Sequence, residues 1–375
     1  MEYRKMEQLS VEPSLLGFGC MRFPLLEDGK IDEAEAEKMI DKAIEEGVCY
    51  IDTAYPYHGG DSEPFVGRVL NKYDRTSYLL ATKLPVWKIS SVEEAKEIFE
   101  SQLKRLDKDY VDFYLLHALS KERWDNLLEQ GILDYCESLK AEGKIRFLGF
   151  SFHDDYEVFE EIATYRKWDF CQIQFNYMDT EIQAGMRGYK LTEKLGIPLV
   201  IMEPVKGGML ASLPEDIERM FKEAAPDKSI ASWALRYVGT LPNVKVILSG
   251  MSSYEQVLNN LDTFRNFEPL SEKELELVEK VAATIKSRVK NGCTGCKYCM
   301  PCPAGVNIPK NFSVWNTYAM YGNKEKAKKE WFVNMEESSL ADKCVKCGKC
   351  EKECPQKISI REDLVRVREA MEEVR

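Results

Sequence analysis

Long apolar runs are missing from this 375-residue sequence. No stretch of about 18 uncharged apolar residues is present, which argues against a transmembrane helix and against a membrane partner. The first ten residues lack the apolar core and cleavage site of a secretory signal, so we expect a cytoplasmic protein. Low-complexity segments are also missing, and the composition, 44% hydrophobic and 31% charged, is that of a folded chain.

Cysteine is scarce in most of the chain and crowded at one end. Only Cys20, Cys49, Cys136 and Cys171 precede residue 290, whereas eight of the 12 cysteines lie between Cys293 and Cys354. In the reducing cytoplasm, clustered cysteines are more often metal ligands than disulfides. The distribution therefore predicts one large part without metal and a smaller part that binds it.

Positive charge is in deficit overall but not in the cysteine-rich part. The net charge is -11, and residues 291–375 carry 15 Lys and Arg against 12 Asp and Glu, or +3, which leaves -14 for residues 1–290. An acidic large domain repels phosphate backbones, so nucleic acid is excluded as a partner.

Short apolar runs alternate with amphipathic helical segments up to about residue 266, the pattern of βα units in a parallel sheet. Eight units in about 250 residues favour a TIM (β/α)8 barrel over an open sheet. No GxGxxG follows the first run, so the dinucleotide-binding Rossmann alternative lacks its main motif. The predicted strands are Leu15–Cys20, Cys49–Thr53, Tyr78–Lys83, Phe113–His117, Phe147–Phe152, Phe170–Phe175, Leu199–Glu203 and Val244–Ser249.

Three domains or segments follow from these patterns. Residues 1–270 form the predicted barrel, and residues 271–290 form a bridging helix with a capping box of Ser271 and Glu274 that ends at Asn291-Gly292. Residues 291–375, which contain the eight clustered cysteines, form a small, mainly α-helical domain. Its middle, from Trp315 to Trp331, and its tail, from Leu364 to Val374, are predicted to be helical.

Cys344-x2-Cys347-x2-Cys350-x3-Cys354-Pro355 has the spacing of bacterial ferredoxins. The run from Cys293 to Cys302 departs from it, with two rather than three residues before its last cysteine. Residues 291–375 thus resemble a dicluster, ferredoxin-like iron–sulfur domain. Three thiolates two residues apart reach three irons of a cubane, and the fourth cysteine of each run ligates the other cluster. Structural zinc is the alternative, since CxxC pairs also bind zinc. The spacing therefore predicts two [4Fe-4S] clusters, one on Cys293, Cys296, Cys299 and Cys354, the other on Cys344, Cys347, Cys350 and Cys302.

Ionisable residues end three consecutive predicted strands, where the chemistry of a TIM barrel takes place. Asp52, Lys83 and His117 occupy these ends, and Tyr57 follows five residues after Asp52 in a loop rich in glycine. A buried ammonium kept charged by a carboxylate is expected to lower the pKa of a neighbouring phenol. With His117 bound to the same oxygen, the group has the chemistry of carbonyl reduction.

These residues lie in motifs that resemble the catalytic tetrad of the aldo-keto reductases: Ile51-Asp52-Thr53-Ala54 with Tyr57, Ala81-Thr82-Lys83, and Leu115-Leu116-His117. The resemblance covers roughly residues 1–267. It implies NADP or NAD as hydride carrier, a small carbonyl or alcohol substrate, and Tyr57 as the acid that Lys83 and Asp52 tune. It also implies nucleotide contacts from Gly19, Met21, Arg22, Asp52, Ser151, Gln172, Glu203, Pro204, Val205, Gly207, Leu210, Gly250, Ser252, Gln256 and Asn260.

Two departures from that family bear on specificity. The loop from Gly250 to Gln256 has none of the cations that typically bind the 2′-phosphate, so NADH competes with NADPH as the donor. His58 replaces the glycine that usually follows the tyrosine, as either a substrate contact or a solvated side chain. Trp87 and Trp124 could line an apolar pocket or belong to the core.

The clusters leave two functions open beside carbonyl reduction. A hydride carries two electrons and a cluster accepts one, so coupling them ordinarily needs a mediator such as a flavin, for which we find no motif. The clusters either exchange electrons with a redox partner protein or hold the C-terminal helices together. In the alternative reading, the protein is an electron carrier whose barrel docks a partner or an unrecognised flavin.

Overall fold

The computed structural model describes all residues from Met1 to Arg375. Eight parallel strands pair in sequence order and close on themselves through β1 and β8. This confirms the predicted TIM barrel, and each observed strand overlaps its predicted run. The strands are β1 (Leu16–Gly19), β2 (Tyr50–Asp52), β3 (Leu79–Leu84), β4 (Val111–Leu119), β5 (Ile145–Phe152), β6 (Phe170–Gln174), β7 (Leu199–Met202) and β8 (Val244–Ser249).

Helices follow the strands and bury their apolar faces against them. The helix that runs from Val92 to Leu106 illustrates how the sequence sets where they begin and end. The Ser91 hydroxyl accepts a hydrogen bond from Glu94 N–H at its start, and Asp107 ends it in a left-handed conformation. The helices of this region are α1 (Glu33–Glu45), α2 (Ser62–Leu70), α3 (Val92–Leu106), α4 (Lys121–Glu129), α5 (Ile132–Ala141), α6 (Tyr156–Tyr165), α7 (Gly185–Leu195), α8 (Glu215–Ala224), α9 (Ile230–Gly239) and α10 (Tyr254–Arg265).

Aromatic side chains fill the interior of the barrel. Phe113 contacts Tyr50, Phe147 and Phe170 with ring centroids 4.8 to 5.0 Å apart. At the N-terminal end, the Arg4 guanidinium donates to the carbonyls of Leu241, Val244 and Gly239, and Met6 is buried in the same interior cluster. Side chains therefore fill the N-terminal end of the barrel, and the carboxyl ends of the strands are where a TIM barrel would place a site.

The chain divides into two compact units. The first comprises Met1–Gly207 and Ala231–Glu272, and the second comprises Gly208–Ile230 and Lys273–Arg375. The segment after β7, which contains α8, thus belongs with the C-terminal part, where Asp216 pairs with Arg288. The sequence does not predict that this segment belongs to the second unit, because it has the same βα pattern as the rest of the barrel.

The second unit is mainly helical, as predicted. Besides α8, its helices are α11 (Glu272–Lys286), α12 (Ile308–Tyr321), α13 (Lys324–Phe332), α14 (Lys349–Glu353) and α15 (Ile360–Glu372). Phe312, Trp315, Trp331, Leu364 and Val367 form its core. The predicted bridging helix ends at Lys286 rather than at Asn291-Gly292, because the chain turns at residues 287–288 and Lys290 N–H instead donates to the Asn316 side chain. None of the helices is long and apolar enough to span a membrane.

Candidate functional site

Three neighbouring strands bring the predicted tetrad together at the carboxyl end of the barrel. Asp52 is the last residue of β2, Lys83 lies near the end of β3, and His117 lies near the end of β4. The strand register pairs Asp52 with Ala81 and Lys83 with Leu115, so the three side chains rise at similar heights. Tyr57 begins a short 3-10 segment, Tyr57–Gly60, that directly follows β2.

The Lys83 ammonium is completely buried and held by two oxygens. Its Nζ lies 2.5 Å from Asp52 Oδ1 and 2.8 Å from the Thr53 carbonyl oxygen. Burial alone would lower the pKa of Lys83, but the Asp52 carboxylate and the Tyr57 phenol together raise it. Lys83 is therefore charged at neutral pH.

Tyr57 is half-buried, and its ring centroid is 5.0 Å from Lys83 Nζ. Burial raises the pKa of Tyr57 by more than the nearby Lys83 lowers it. The prediction that Lys83 lowers the pKa of Tyr57 is therefore wrong in direction. Burial destabilises the phenolate by more than the Lys83 ammonium, which Asp52 also shares, stabilises it. The side chain is a neutral phenol at physiological pH, which is the form that can donate a proton.

His117 is the third group around this space. Its ring centroid lies 6.1 Å from that of Tyr57 at an interplanar angle of 78°, and 5.0 Å from that of Trp87. Burial, followed by the positive charge of Lys83, holds the pKa of His117 well below its usual range. Its buried Nδ1 has no hydrogen-bond partner. The imidazole is therefore neutral, and one of its nitrogens is free for a ligand.

A bulge in β4 sets the direction of the chain at His117. The β4–β5 register shifts between Leu116 and Leu119, and Ala118 has a φ of 55°, which is uncommon for a residue with a side chain. Ala118 N–H donates to Ser151 Oγ at 2.7 Å. Ser151, assigned to the nucleotide, thus also stabilises the conformation next to His117.

A buried polar network that sequence reasoning missed supports Lys83 from behind. Gln102 Nε2 donates to the Lys83 carbonyl at 3.0 Å and to Glu63 Oε1 at 2.8 Å, and Thr82 Oγ1 donates to the same carboxylate at 2.7 Å. Arg105 pairs with the other oxygen of Glu63 at 3.3 Å. The available signal was polar residues on the apolar faces of α2 and α3, at Glu63 and Gln102.

Gln172 has an unsatisfied oxygen at the end of β6. The side chain is buried, its Oε1 has no hydrogen-bond partner, and its Nε2 has only the weak acceptor Met202 Sδ, 3.5 Å away. A buried amide without partners is costly unless a ligand completes it. Gln172 and Ser151 pair across β5 and β6, so both face one edge of the mouth.

The loop after β1 meets the loop after β8. Ser252 Oγ donates to the Arg22 carbonyl at 2.8 Å, and the Arg22 side chain lies where a Cβ on Gly250 would come within 3.2 Å of it. Gln256 Oε1 accepts from Ser252 N–H at 2.8 Å. Arg22, a cation from the loop after β1, thus lies against the Gly250–Gln256 segment, which contains no Lys or Arg of its own. Asn260 of α10 also reaches back to the end of β8, where its Nδ2 donates to Ser249 Oγ at 2.8 Å.

The other residues assigned to the nucleotide lie on loops after β1 and β7. Gly19 ends β1 close to the Ser249 carbonyl, and Met21 is exposed. Glu203 pairs with Arg22 at 3.4 Å. Beyond it, Pro204 is buried, Val205 is half-buried and Gly207 is exposed with a φ of 60°. Leu210 is buried and belongs to the second unit.

His58 and Trp124 serve the fold rather than the mouth. His58 Nε2 accepts from Phe23 N–H at 3.3 Å, and the two rings lie 5.6 Å apart, so this histidine links the loops after β1 and β2. Trp124 is fully buried and packs on Trp168. Trp87 remains 41% exposed beside His117.

The eight C-terminal cysteines surround two separate cavities. One is lined by Cys293, Cys296, Cys299 and Cys354. The other is lined by Cys302, Cys344, Cys347 and Cys350. Each cavity therefore takes three cysteines of one run and the last cysteine of the other, in the grouping expected from the sequence.

The backbone around each cavity repeats one conformation. Both residues that flank the middle cysteine are left-handed: Gly295 and Lys297 around Cys296, and Lys346 and Gly348 around Cys347. Successive amides in such turns form concave nests that bind anions. Four thiols with such backbone amides beside them suit an anionic iron–sulfur cluster.

Comparisons with known proteins agree with both parts. Residues 15–283 match the model of the aldo/keto reductase family, and residues 292–358 match that of the 4Fe-4S dicluster domain. The chain is 28% identical over 310 residues to the uncharacterized oxidoreductase YqkF of Bacillus subtilis (strain 168), with 74% of this chain and 96% of that protein covered.

Two further matches cover the same region. The chain is 25% identical over 302 residues to the NADH-specific methylglyoxal reductase of Escherichia coli (strain K12), with 69% of this chain and 91% of that protein covered. The solved structure of the aldo-keto reductase AKR11C1 from Bacillus halodurans (holo form) superposes with a TM-score of 0.64 at 29% identity, covering 75% of this chain and 96% of that one. The resemblance noted in the sequence is confirmed.

Proposed function

Because this chain belongs to the aldo-keto reductase family and carries a 4Fe-4S dicluster domain, we propose that this oxidoreductase reversibly reduces an aldehyde or ketone to an alcohol with NADH or NADPH. One observation carries the proposal: a neutral Tyr57 phenol and a neutral His117 imidazole lie around the charged Lys83–Asp52 pair. NADH or NADPH, when bound, would supply the hydride for the carbonyl carbon.

Tyr57 donates the proton that the carbonyl oxygen needs as the hydride arrives. Its raised pKa keeps the proton in place in the resting protein. Once the proton leaves, the phenolate is stabilised by the Lys83 ammonium, whose charge Asp52 maintains. The pair thus acts mainly in the charged transition state, where stabilisation raises the rate.

His117 orients the substrate. Because its pKa is depressed, His117 remains a neutral imidazole, which can donate one N–H hydrogen bond to the carbonyl oxygen while Tyr57 supplies the proton. Trp87, packed on this ring, forms an apolar wall on the same side. Both contacts favour a compact carbonyl compound.

The nicotinamide carboxamide would be held by Ser151 and by the unsatisfied Gln172 Oε1. Arg22 would contact the diphosphate, and Gly250, Ser252, Gln256 and Asn260 the adenosine end. We favour NADH because the Gly250–Gln256 loop has no cation of its own for a 2′-phosphate and Arg22 beside it is paired with Glu203. A similar protein is also named as NADH-specific. Steady-state KM values for NADH and NADPH with one aldehyde would decide the preference.

The two cysteine sets would each hold one [4Fe-4S] cluster. A second function is favoured by the exposure of Cys296 and Cys347, each flanked by an exposed lysine, Lys297 or Lys346. A cluster edge that lies close to solvent beside a lysine suits electron exchange with an acidic redox partner. Reduction of the clusters by an acidic ferredoxin, weakened by charge reversal at Lys297 and Lys346, would test this function separately.

The central experiment measures NADH and NADPH oxidation with short aldehydes under anaerobic conditions. Loss of a general acid costs about 10²- to 10⁴-fold in rate, so Tyr57→Phe is expected to lose that much of kcat. Tyr165→Phe, at an exposed tyrosine, is the matched control and should retain full activity. Equal turnover by Tyr57→Phe and the native protein would rule out the proton-transfer role.

A further inference from the structure

Arg123 is an arginine at the barrel mouth that has no acidic partner. It lies in the first turn of α4, six residues after His117, and is half-buried. Its Nη1 donates to the Ala118 carbonyl at 2.6 Å, and the guanidinium lies 5.1 Å from the centre of the Trp87 ring. Among its contacts is no ion pair, although a guanidinium offers five donors.

Other arginines of the same unit satisfy their charge or their donors. Arg75 and Arg146 share the buried Asp112 at 2.6 Å each, and Arg105 pairs with Glu63. Arg4 lacks a carboxylate but donates to three carbonyls. Arg123 uses one carbonyl only, so most of its donors remain available on the side of the mouth.

The position of Arg123 is tied to the catalytic histidine by two routes. Its acceptor, the Ala118 carbonyl, belongs to the residue after His117, in the bulge that Ser151 stabilises. Trp87 lies between the guanidinium and the imidazole, 5.1 Å from one and 5.0 Å from the other. The positive charge of Arg123 also contributes to the depressed pKa values of His117 and His153.

The charges near the site leave this cation unbalanced. Lys83 and Asp52 neutralise each other, and Glu203, which faces His153, pairs with Arg22. Asp154, next to His153, accepts from Lys121 N–H at 2.8 Å. An anion on the substrate would complete the set, and a planar guanidinium fork binds carboxylates with two parallel hydrogen bonds.

We propose that Arg123 binds a carboxylate of the substrate, so that the natural substrates are short oxo acids, with an aldehyde or ketone within a few bonds of the acid group. The inference rests on the proposed carbonyl reduction. His117 and Tyr57 hold the carbonyl oxygen, and Arg123 holds the opposite end across the Trp87 ring. Arg123 is a substrate-binding residue that discriminates charged from neutral carbonyl compounds.

The test compares 2-oxoacetate, 4-oxobutanoate and 5-oxopentanoate with their methyl esters, using the full-length protein under anaerobic conditions. A charge-assisted pair contributes about 10- to 100-fold in kcat/KM, so one acid of the series should exceed its ester by that factor. Propanoate should inhibit ester reduction competitively. Arg123→Gln should lose the inhibition by propanoate and bring the acid-to-ester ratio of kcat/KM to about one, and Arg123→Lys should restore part of both.

Arg187→Gln is the matched control, because Arg187 is an exposed arginine paired with Glu157 on the outer helices. It should behave as the native protein does. Native protein that reduces acids and esters equally, without inhibition by propanoate, overturns the role of Arg123 but leaves carbonyl reduction intact. Failure to reduce either class with NADH or NADPH overturns the proposed function itself, and the two outcomes are therefore distinct.

Discussion

Removal of the Asp52 charge is the perturbation that most directly tests the site. In Asp52→Asn, the buried Lys83 ammonium loses the carboxylate 2.5 Å away and keeps only the Thr53 carbonyl and the Tyr57 phenol. Breaking a buried pair by removing one partner costs about 3–5 kcal/mol. Because the Thr53 contact remains, we expect the low end, about 3 kcal/mol, in the free energy of unfolding at pH 7.

The pH dependence of this loss carries the sharper information. In the native protein the pKa of Lys83 is raised, so its contribution to stability is fully present below the unfolded-state pKa of about 10.4 and is lost only as pH rises through the higher folded-state pKa. Without Asp52, burial dominates and lowers the folded-state pKa. The unfolded state then binds more protons, so the stability of the variant rises with pH, by at most about 1.4 kcal/mol per unit.

The assay is urea unfolding followed by tryptophan fluorescence at pH 7 and pH 9, under anaerobic conditions, with native protein and variant side by side. We expect the destabilisation of Asp52→Asn to be smaller at pH 9 by about 1–3 kcal/mol. The control is Asp52→Asn combined with Lys83→Met, which removes both charges and should be less destabilised and insensitive to pH. A loss below about 1 kcal/mol, or an equal loss at both pH values, would refute the view that Asp52 keeps Lys83 charged.

Three further predictions address the other groups. Because burial keeps His117 neutral, kcat/KM for aldehyde reduction should stay flat between pH 6.5 and 8, and a rise or fall through about 6.5 would contradict its depressed pKa. Ser151→Ala should lower kcat about tenfold with little change in far-UV circular dichroism, since Ala118 N–H loses its acceptor beside His117; Ser138→Ala, on α5, should not. Native protein should contain about eight irons per chain. Cys299→Ser and Cys350→Ser should each lose up to half of them, whereas Cys49→Ser, outside both cavities, should lose none. An unchanged iron content in the two cluster variants would exclude these cysteines as ligands.

The barrel was predictable because its signals are local. The run Val244–Ser249 is apolar, β-branched and bounded by turn residues, and the helix Val92–Leu106 carries its own capping residues at both ends. The cysteine runs likewise specify their partners through spacing. The end of the bridging helix was wrong because Lys286 is followed by residues that the Asn316 side chain binds, a contact 26 residues away in sequence.

Electrostatic and long-range features were decided only in the folded structure. The pKa of Tyr57 depends on the balance between its burial and one shared ammonium, and that balance has no sequence signature. The hydrogen bond from Phe23 N–H to His58 likewise forms only because the loops after β1 and β2 meet in the fold.

The sequence by itself determined the eight-stranded barrel, the residues at its mouth and the two cysteine sets, since periodicity, strand ends and ligand spacing are properties of short segments. The tertiary structure decided which charges are neutralised. Asp112 pairs with two arginines, whereas Arg123, near His117, has no carboxylate partner. Charge pairing depends on distances between segments that are remote in the chain, and only folding fixes those distances.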